Sequence, residues 1–207
     1  DKFPNISVDM MDAVDKGDSA QFSEEEILEP TDWVLMNFIM DARTGLGRFR
    51  DFKISNYQLM MKLIDACKDH SIEEILQMED VAERVSLYHE HNEMAKVQIA
   101  KCSTVYDNLV VLDLTDQETI YATNRFVIYA MYPDCNISIH KMWGLKKQNV
   151  VFAIGKSITN RTSNTNVGEL CLKYGGGGHM NAGTCQVETS KAETVLGELI
   201  ETITSDG

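Results

Sequence analysis

The sequence is poor in positive charge, has no C-x-x-C pair and contains no long apolar run. Each absence removes a class of function. Lys and Arg total 19 against 32 Asp and Glu, a net charge of −13. That argues against the long cationic groove that duplex nucleic acid needs, and leaves room for a small anionic ligand held by a few focused groups or by a metal. The five cysteines, Cys67, Cys102, Cys135, Cys171 and Cys185, are odd in number and far apart. They make neither a disulfide framework nor a C-x-x-C site, and fit a reduced, cytoplasmic protein. No apolar stretch approaches the roughly 18 residues of a membrane span, and the start shows no basic segment leading into an apolar one. The chain opens on Asp1 rather than Met, and DKFPNISVDMMDAVD reads as the interior of a longer protein, so an upstream segment is expected. There is no internal repeat and no low-complexity tract.

What is present is an ordinary globular composition, 43% hydrophobic over 207 residues, enough for one large domain or two small ones. Residues 7–28 have helical spacing (Val8, Met11, Val14), with Ser23 and Glu26 forming a possible capping box before a short helix. PTDWVLMNFIM is a second helix, with Pro30 near its start and Thr31 as a cap. It runs into the basic, glycine-bearing loop DARTGLGRFRDF. Helices follow over 56–69 and 71–78, then a long charged one from about 80 to 101 whose partial apolar stripe suits a connector better than a core element. The eleven methionines, Met10, Met11, Met60 and Met61 among them, read as helix core filler.

After residue 104 the texture changes. NLVVLDL, CNISIHKMW and NVVFAIGKS read as strands, with a helix over 124–131 between the first two and another over 167–174. TCQVE is a short strand, and an amphipathic helix over 190–203 is expected to be capped by Ser190 with Glu193. The order β-α-β-β-α-β-α defines a compact α/β domain.

The stretch GGGGHMNAG, Gly175–Gly183, stands out because four glycines are costly to order. It is not a Walker loop, since no Gly-Lys-Ser/Thr follows, nor a dinucleotide fingerprint, since a helix precedes it. Consecutive glycine amides are able to form a nest of N–H donors for phosphate oxygens, with His179 adding a ring donor. Upstream, GKSITNRTSNTNVGEL clusters Lys156, Ser157, Arg161 and Ser163, and Arg161 could fork onto a phosphate or carboxylate.

The pattern S-x-x-x-R-[ST]-S-x-x-x-NVGEL, then a helix, then YGGGGHxxAG, resembles the C-terminal domain that accompanies DHH-family phosphoesterases. That family includes nanoRNases, phosphatases of adenosine bisphosphate, cyclic dinucleotide phosphodiesterases and the RecJ exonuclease. The match runs from about Leu109 to Ile203 and is most similar to the exopolyphosphatase-related members. The resemblance implies three parts: residues 1–80 as the helical end of a DHH domain, 81–104 as a linking helix, and 105–207 as an α/β substrate-binding domain with a mixed sheet. It implies that Gly175, Gly176, Gly177, Gly178 and His179 line the cleft and contact a terminal phosphate of a short nucleotide. His179 carries the catalytic assignment, and Arg161, with Ser157 or Ser163, holds another phosphate.

Catalysis in the family requires two Mn²⁺ ions, bound by an early D-x-D pair, a further Asp, the DHH triplet and one late Asp. This chain has no DHH triplet and no early D-x-D pair; Asp69-His70-Ser71 is a coincidental near-match. Asp18 is the favoured late ligand, Asp15 the second choice and Asp41 the third, each set against an ordinary solvated carboxylate. The chain as given would carry the substrate half of the site without the hydrolytic half.

Other residues read more plainly. His89 and His91, two apart on a helix, do not face one ion and are expected to be solvated. His140 is read as a structural histidine. Arg43, Arg48 and Arg50 either meet phosphate or the other domain, or pair with acidic neighbours; Arg125 opens a helix. The function implied by the resemblance is a cytoplasmic, Mn²⁺-dependent phosphoesterase acting on a short oligonucleotide, adenosine bisphosphate or similar, with a homodimer and no membrane partner expected. The alternative is a non-catalytic nucleic-acid-binding module, like the similar domain of alanyl-tRNA synthetases. Polyphosphate hydrolysis is a third option.

Overall fold

The computed structural model describes residues 6–49 and 51–207. Its contacts divide it into two units: the described residues up to Val97 with Tyr121–Val127, and Gln98–Ile120 with Ile128–Gly207. Arg50 lies outside the described residues.

The first unit is helical. Helix α1, Val8–Ser19, ends at Ala20, which takes a left-handed conformation at φ 50° and so breaks the helical span 7–28 before the expected short helix. Helix α2, Glu24–Leu28, opens on the expected capping box between Ser23 and Glu26. Helix α3, Asp32–Met40, begins after Thr31, whose side chain makes no cap bond. Two single 3-10 turns, Ala42–Thr44 and Leu46–Arg48, carry the basic loop. Helices α4, Asn56–Asp69, and α5, Ile72–Gln77, each open on a capping box, Ser55 with Gln58 and Ser71 with Glu74. Helix α6 spans Glu79–Cys102. Ile27, Leu35, Phe38, Leu59, Ile75 and Tyr88 form the buried interior, where Phe22, Phe38 and Phe126 stack at 4.9–6.2 Å between centroids. Met11, Met60 and Met61 are exposed, so they are not the core filler their spacing suggested.

Helix α6 does run from the first unit into the second, but contrary to the sequence reading it is also a core element of the first. Val81, Arg84, Tyr88, His91, Asn92 and Ala95 recur at helical spacing and are all buried. Half of that stripe is polar, which is why an apolar pattern under-reports it. Arg84 is fully buried, donates to the carbonyls of Ile54 and Asp80 and to Asn56 Oδ1, and lies 4.0 Å from the Phe52 ring centroid. It pins the end of the basic loop. His91 is not solvated either. Its Nδ1 accepts the Ala122 N–H at 3.1 Å between the rings of Phe49 and Tyr121, and burial pulls its pKa down. His89 is exposed, as expected.

The second unit is a mixed sheet with helices. Strand β1, Ser103–Tyr106, absent from the sequence reading, turns at left-handed Asp107 into β2, Leu109–Asp113. Helix α7 is Val127–Met131; the first turn expected before it is replaced by the Asn124 side chain accepting the Phe126 N–H. Then come β3, Ile137–Trp143, β4, Val150–Lys156, α8, Val167–Lys173, β5, Gly177–His179, β6, Ala182–Val187, and α9, Ala192–Asp206. The strand order is β1-β2-β3-β4-β6-β5, and only β2 and β3 run parallel. One face of the sheet (Leu109, Val111, Ile137, Ile139, Phe152, Ile154) packs against Val167, Leu170 and Cys171 of α8 and Val195, Leu199 and Ile203 of α9. Each such aliphatic contributes about 1.5–3 kcal/mol by leaving water.

Helix α9 departs from expectation at its start. Ser190 lies in a 3-10 turn, Lys191 occupies the cap position without a side-chain bond, and Glu193 accepts instead from buried Lys141 at 2.6 Å. All five cysteines are free thiols. Among the described residues no helix is long and apolar enough to cross a membrane.

Candidate functional site

The glycine run divides its labour. At the end of α8 the Gly175 N–H donates to Leu172 O at 3.1 Å and the Gly176 N–H to Cys171 O at 3.0 Å, with Gly175 left-handed at φ +75°. These two amides close the helix, so they are not part of an open nest. Gly177, Gly178 and His179 then form β5, paired with Thr184, Gly183 and Ala182. A Cβ added at Gly176 would lie 2.1 Å from Thr184 O, and one at Gly178 2.3 Å from Ala182 O. What first comes close to these glycines is the protein's own backbone. Gly177 differs: no atom lies within 4 Å of its added Cβ, and its backbone is not left-handed. Nothing in the fold requires a glycine there.

His179 is exposed at the end of β5. Its Nδ1 accepts the Asn181 N–H at 3.3 Å, so in the neutral ring the proton resides on Nε2, a donor suited to a phosphate oxygen.

The loop between β4 and α8 carries Arg161. Ser157, expected to touch phosphate, is buried, and its hydroxyl accepts the N–H groups of Thr159 at 3.2 Å and Asn160 at 3.0 Å. It shapes the loop. Asn136 donates to Thr162 Oγ1 at 3.0 Å and Thr162 donates to Asn160 Oδ1 at 2.7 Å, bracing the residues on both sides of Arg161. Arg161 is exposed, with Nε on Ile158 O at 3.0 Å. Ser163 Oγ and Thr165 Oγ1 are buried hydroxyls without a hydrogen-bond partner among the described residues, and Lys156 Nζ donates to Ser163 O at 3.0 Å.

Both ends of this loop are laced to the turn after His179. The Lys156 N–H donates to Asn181 O at 2.9 Å, and the Val167 N–H to Met180 O at 3.3 Å. The Arg161 loop and the glycine hairpin therefore form one locality in the second unit. Lys156, already part of the sequence cluster, belongs to it, as do Asn181 and Thr165, which had no sequence signal beyond their nearness to Arg161 and His179.

His140 lies on β3, and its burial pushes its pKa down to about 4. Its strand-face neighbour Ser138 bonds Tyr129 Oη at 2.9 Å, which donates to Gly155 O at 2.8 Å.

The carboxylates of the metal assignment are all in the first unit. Asp15 and Asp18 are exposed on α1 and line an open depression with Asp12 and Lys16. Asp41 caps the first 3-10 turn; it accepts the Arg43 N–H at 2.9 Å and Arg43 Nε at 2.8 Å, with Arg125 Nε 3.8 Å away. Burial opposes its ionisation, but the Arg43 bonds and the two guanidinium charges outweigh it and hold Asp41 below the usual carboxylate range. Among the described residues no three His, Cys, Asp or Glu side chains converge where a metal ion could sit. They do not fit a two-metal centre.

No family model matches the chain, and no curated protein does either. Among solved structures it is similar to the pGpG-specific phosphodiesterase PggH of Vibrio cholerae, with 64% identity and a TM-score of 0.91 over 97% of this chain and 67% of that one. In fold it is similar to CDC45 of Entamoeba histolytica, with 8% identity and a TM-score of 0.53 over 83% of this chain and 38% of that one. An exopolyphosphatase-related protein of Bacteroides fragilis matches at 16% identity and a TM-score of 0.46, over 96% of this chain and 57% of that one.

Proposed function

Because the chain belongs to the DHH family of phosphoesterases, a family of hydrolases, we propose that it serves the hydrolysis of a short linear dinucleotide of the pGpG type. The observation that carries this reading is the 64% identity with a pGpG-specific phosphodiesterase along 97% of the chain. Water adds at the bridging phosphorus, the 3′ oxygen leaves and takes up a proton, and two mononucleotides result. Arg161 clamps a phosphate through its guanidinium fork, His179 Nε2 donates to a phosphate oxygen, and bare Gly177 lets the ligand approach the backbone. These residues make the chain mainly a substrate-binding half. Mn²⁺ is the activating ion we propose for the reaction; Asp18, or in its place Asp15 or Asp41, is the single carboxylate this chain would offer it, which does not by itself make a metal centre. A cytoplasmic location and a homodimer complete the proposal.

The test is release of mononucleotide from pGpG, with adenosine bisphosphate, a cyclic dinucleotide and polyphosphate alongside, with and without Mn²⁺. Arg161→Gln is expected to weaken substrate binding about tenfold or more. His179→Ala is expected to lower kcat/KM on the order of a hundredfold if the ring meets charge developing in the transition state. Folded protein that binds pGpG no better than inorganic phosphate would sink the reading. Binding that falls steeply with salt and favours long polymer would instead indicate the nucleic-acid-binding module, which a net charge of −13 disfavours.

A further inference from the structure

We infer that His140 contacts the nucleobase of the bound dinucleotide, at one end of an open sheet face whose other end carries His179. The register of the second unit places the two histidines. His140 pairs with Ala153, Ala153 with Thr184 and Thr184 with Gly177, so these four residues form one row across β3, β4, β6 and β5. His179 lies two residues beyond Gly177 on the same strand and therefore shares its face. Three strand spacings separate His140 from Gly177, about 14 Å. A single phosphate is too small to touch both histidines, whereas a linear dinucleotide spans that length.

The two faces of the sheet differ. Phe152, Ile154 and Cys185 are buried on the face that packs against α8 and α9. On the opposite face Ala153 and Gly177 are half-buried and Thr184 is exposed, although β4 and β6 are interior strands. Small side chains make that row a shallow floor. The neighbouring row is bounded at Gly155, whose carbonyl accepts from Tyr129 Oη at 2.8 Å.

His140 supplies what a floor of small residues alone does not. Among the described residues its ring makes no hydrogen bond, ion pair or ring contact, so no protein group holds it as a structural histidine would be held. His91, by contrast, has both the Ala122 N–H and two flanking rings. His140 is only half-buried, yet the packing around it pushes its pKa down to about 4. A ring that is crowded and still reached by solvent lies in a recess. The lowered pKa disfavours the imidazolium that would suit a phosphate there. Met142 and Val151, paired with each other on the same face beside His140 and Ala153, are half-buried and apolar. The complement is a flat ring with apolar faces and a polar edge, a purine: methionine packs well on aromatic faces, and an uncharged imidazole both donates and accepts. This assignment rests on the proposed activity, which brings a phosphate to His179 and a base to His140 in one ligand.

The test follows the ring NMR signals of the five histidines in the whole chain, at constant pH and ionic strength with Mn²⁺ replaced by Mg²⁺. The titrants are pGpG, ribose 5-phosphate and inorganic phosphate. The His179 signal is expected to shift with all three, and the His140 signal saturably with pGpG alone. His140→Ala is expected to weaken pGpG binding about tenfold and to leave ribose 5-phosphate binding unchanged. His140→Gln, which keeps a donor and an acceptor, should lose less. An unmoved His140 signal at saturating pGpG overturns the inference, and the wild-type titration decides this even where a variant fails to fold. Equal losses for both ligands in His140→Ala also overturn it, because a merely structural ring would give that result. A response at His179 with His140 silent rejects the base contact and keeps the proposed activity. Saturable shifts at both, without mononucleotide release in a parallel Mn²⁺ assay, uphold the contact and reject the activity; no shift at either histidine rejects both.

Discussion

Gly168, in the first turn of α8, faces Gly178 in β5 backbone to backbone: a methyl at Gly168 would lie 2.9 Å from the Gly178 carbonyl oxygen and 3.1 Å from the His179 nitrogen. The helix that follows the Arg161 loop is thus seated against the strand that presents His179, with only hydrogens between them. The placement of His179 depends on that contact.

Alanine substitutions within the run are expected to separate fold from ligand. Gly178→Ala drives a methyl into Ala182 O and should cost about 1–3 kcal/mol, visible as a lower Tm. Gly177→Ala meets nothing and should leave Tm unchanged or slightly higher. Its phosphate or pGpG affinity should nevertheless fall, and an unaltered affinity would remove Gly177 from the binding surface.

Ser157→Ala removes the acceptor of two loop N–H groups in a buried place. A loss of about 1–2 kcal/mol is expected in urea unfolding. Because Ser157 acts through the loop, weaker pGpG binding should be matched by a changed Arg161 Nε NMR signal before ligand is added. Weaker binding with that signal unmoved would mean that Ser157 touches ligand directly.

Arg84→Met leaves the carbonyls of Ile54 and Asp80 and the Asn56 side chain without their donor. For a side chain 1% exposed, about 3–5 kcal/mol is the expected destabilisation by urea unfolding. Since Arg84 pins the end of the basic loop, the Arg43 NMR signal should broaden in the variant. A cost under about 1 kcal/mol would show that the buried network is not stabilising.

Acid should weaken the fold before the carboxylates titrate. His140 has a folded pKa of about 4 against an ordinary value of 6.5, so between those values the unfolded chain binds the extra proton. Stability present above pH 6.5 is therefore lost as pH falls toward 4, by roughly 2–3 kcal/mol. His91, also lowered by burial, adds in the same direction. His140→Gln should flatten the pH dependence of urea midpoints in that window, and an unchanged slope would rule out a lowered His140 pKa as its cause.

Much of the architecture was legible in local patterns. The box Ser23 with Glu26, the span 56–69, the three long strands and the change of texture near residue 104 all depend on neighbours in sequence, and they formed where their spacing put them. That the glycine run and the Arg161 segment would lie together was an expectation of the family resemblance, and the backbone bonds of Lys156 and Val167 to Asn181 and Met180 do join them. The strand inside that run was not legible, since glycine carries no strand preference and β5 exists only through its pairing with β6. The polar stripe of α6 was missed because Arg84, His91 and Asn92 look like surface residues until their partners at Ile54, Ala122 and Thr123 are in place.

Two identical local signals mark the boundary between the two kinds of information. Ser23 with Glu26 and Ser190 with Glu193 have the same spacing, and only the first became a capping box. By itself the sequence determined where helices and strands are able to begin, because capping and periodicity act over three or four residues. Tertiary structure decided that Glu193 turns to Lys141, that Asp41 holds two arginines, and that the Arg161 loop is tied at both ends to the turn after His179. Those outcomes depend on groups distant in the chain, where burial makes an unpaired charge or N–H costlier than a lost local cap.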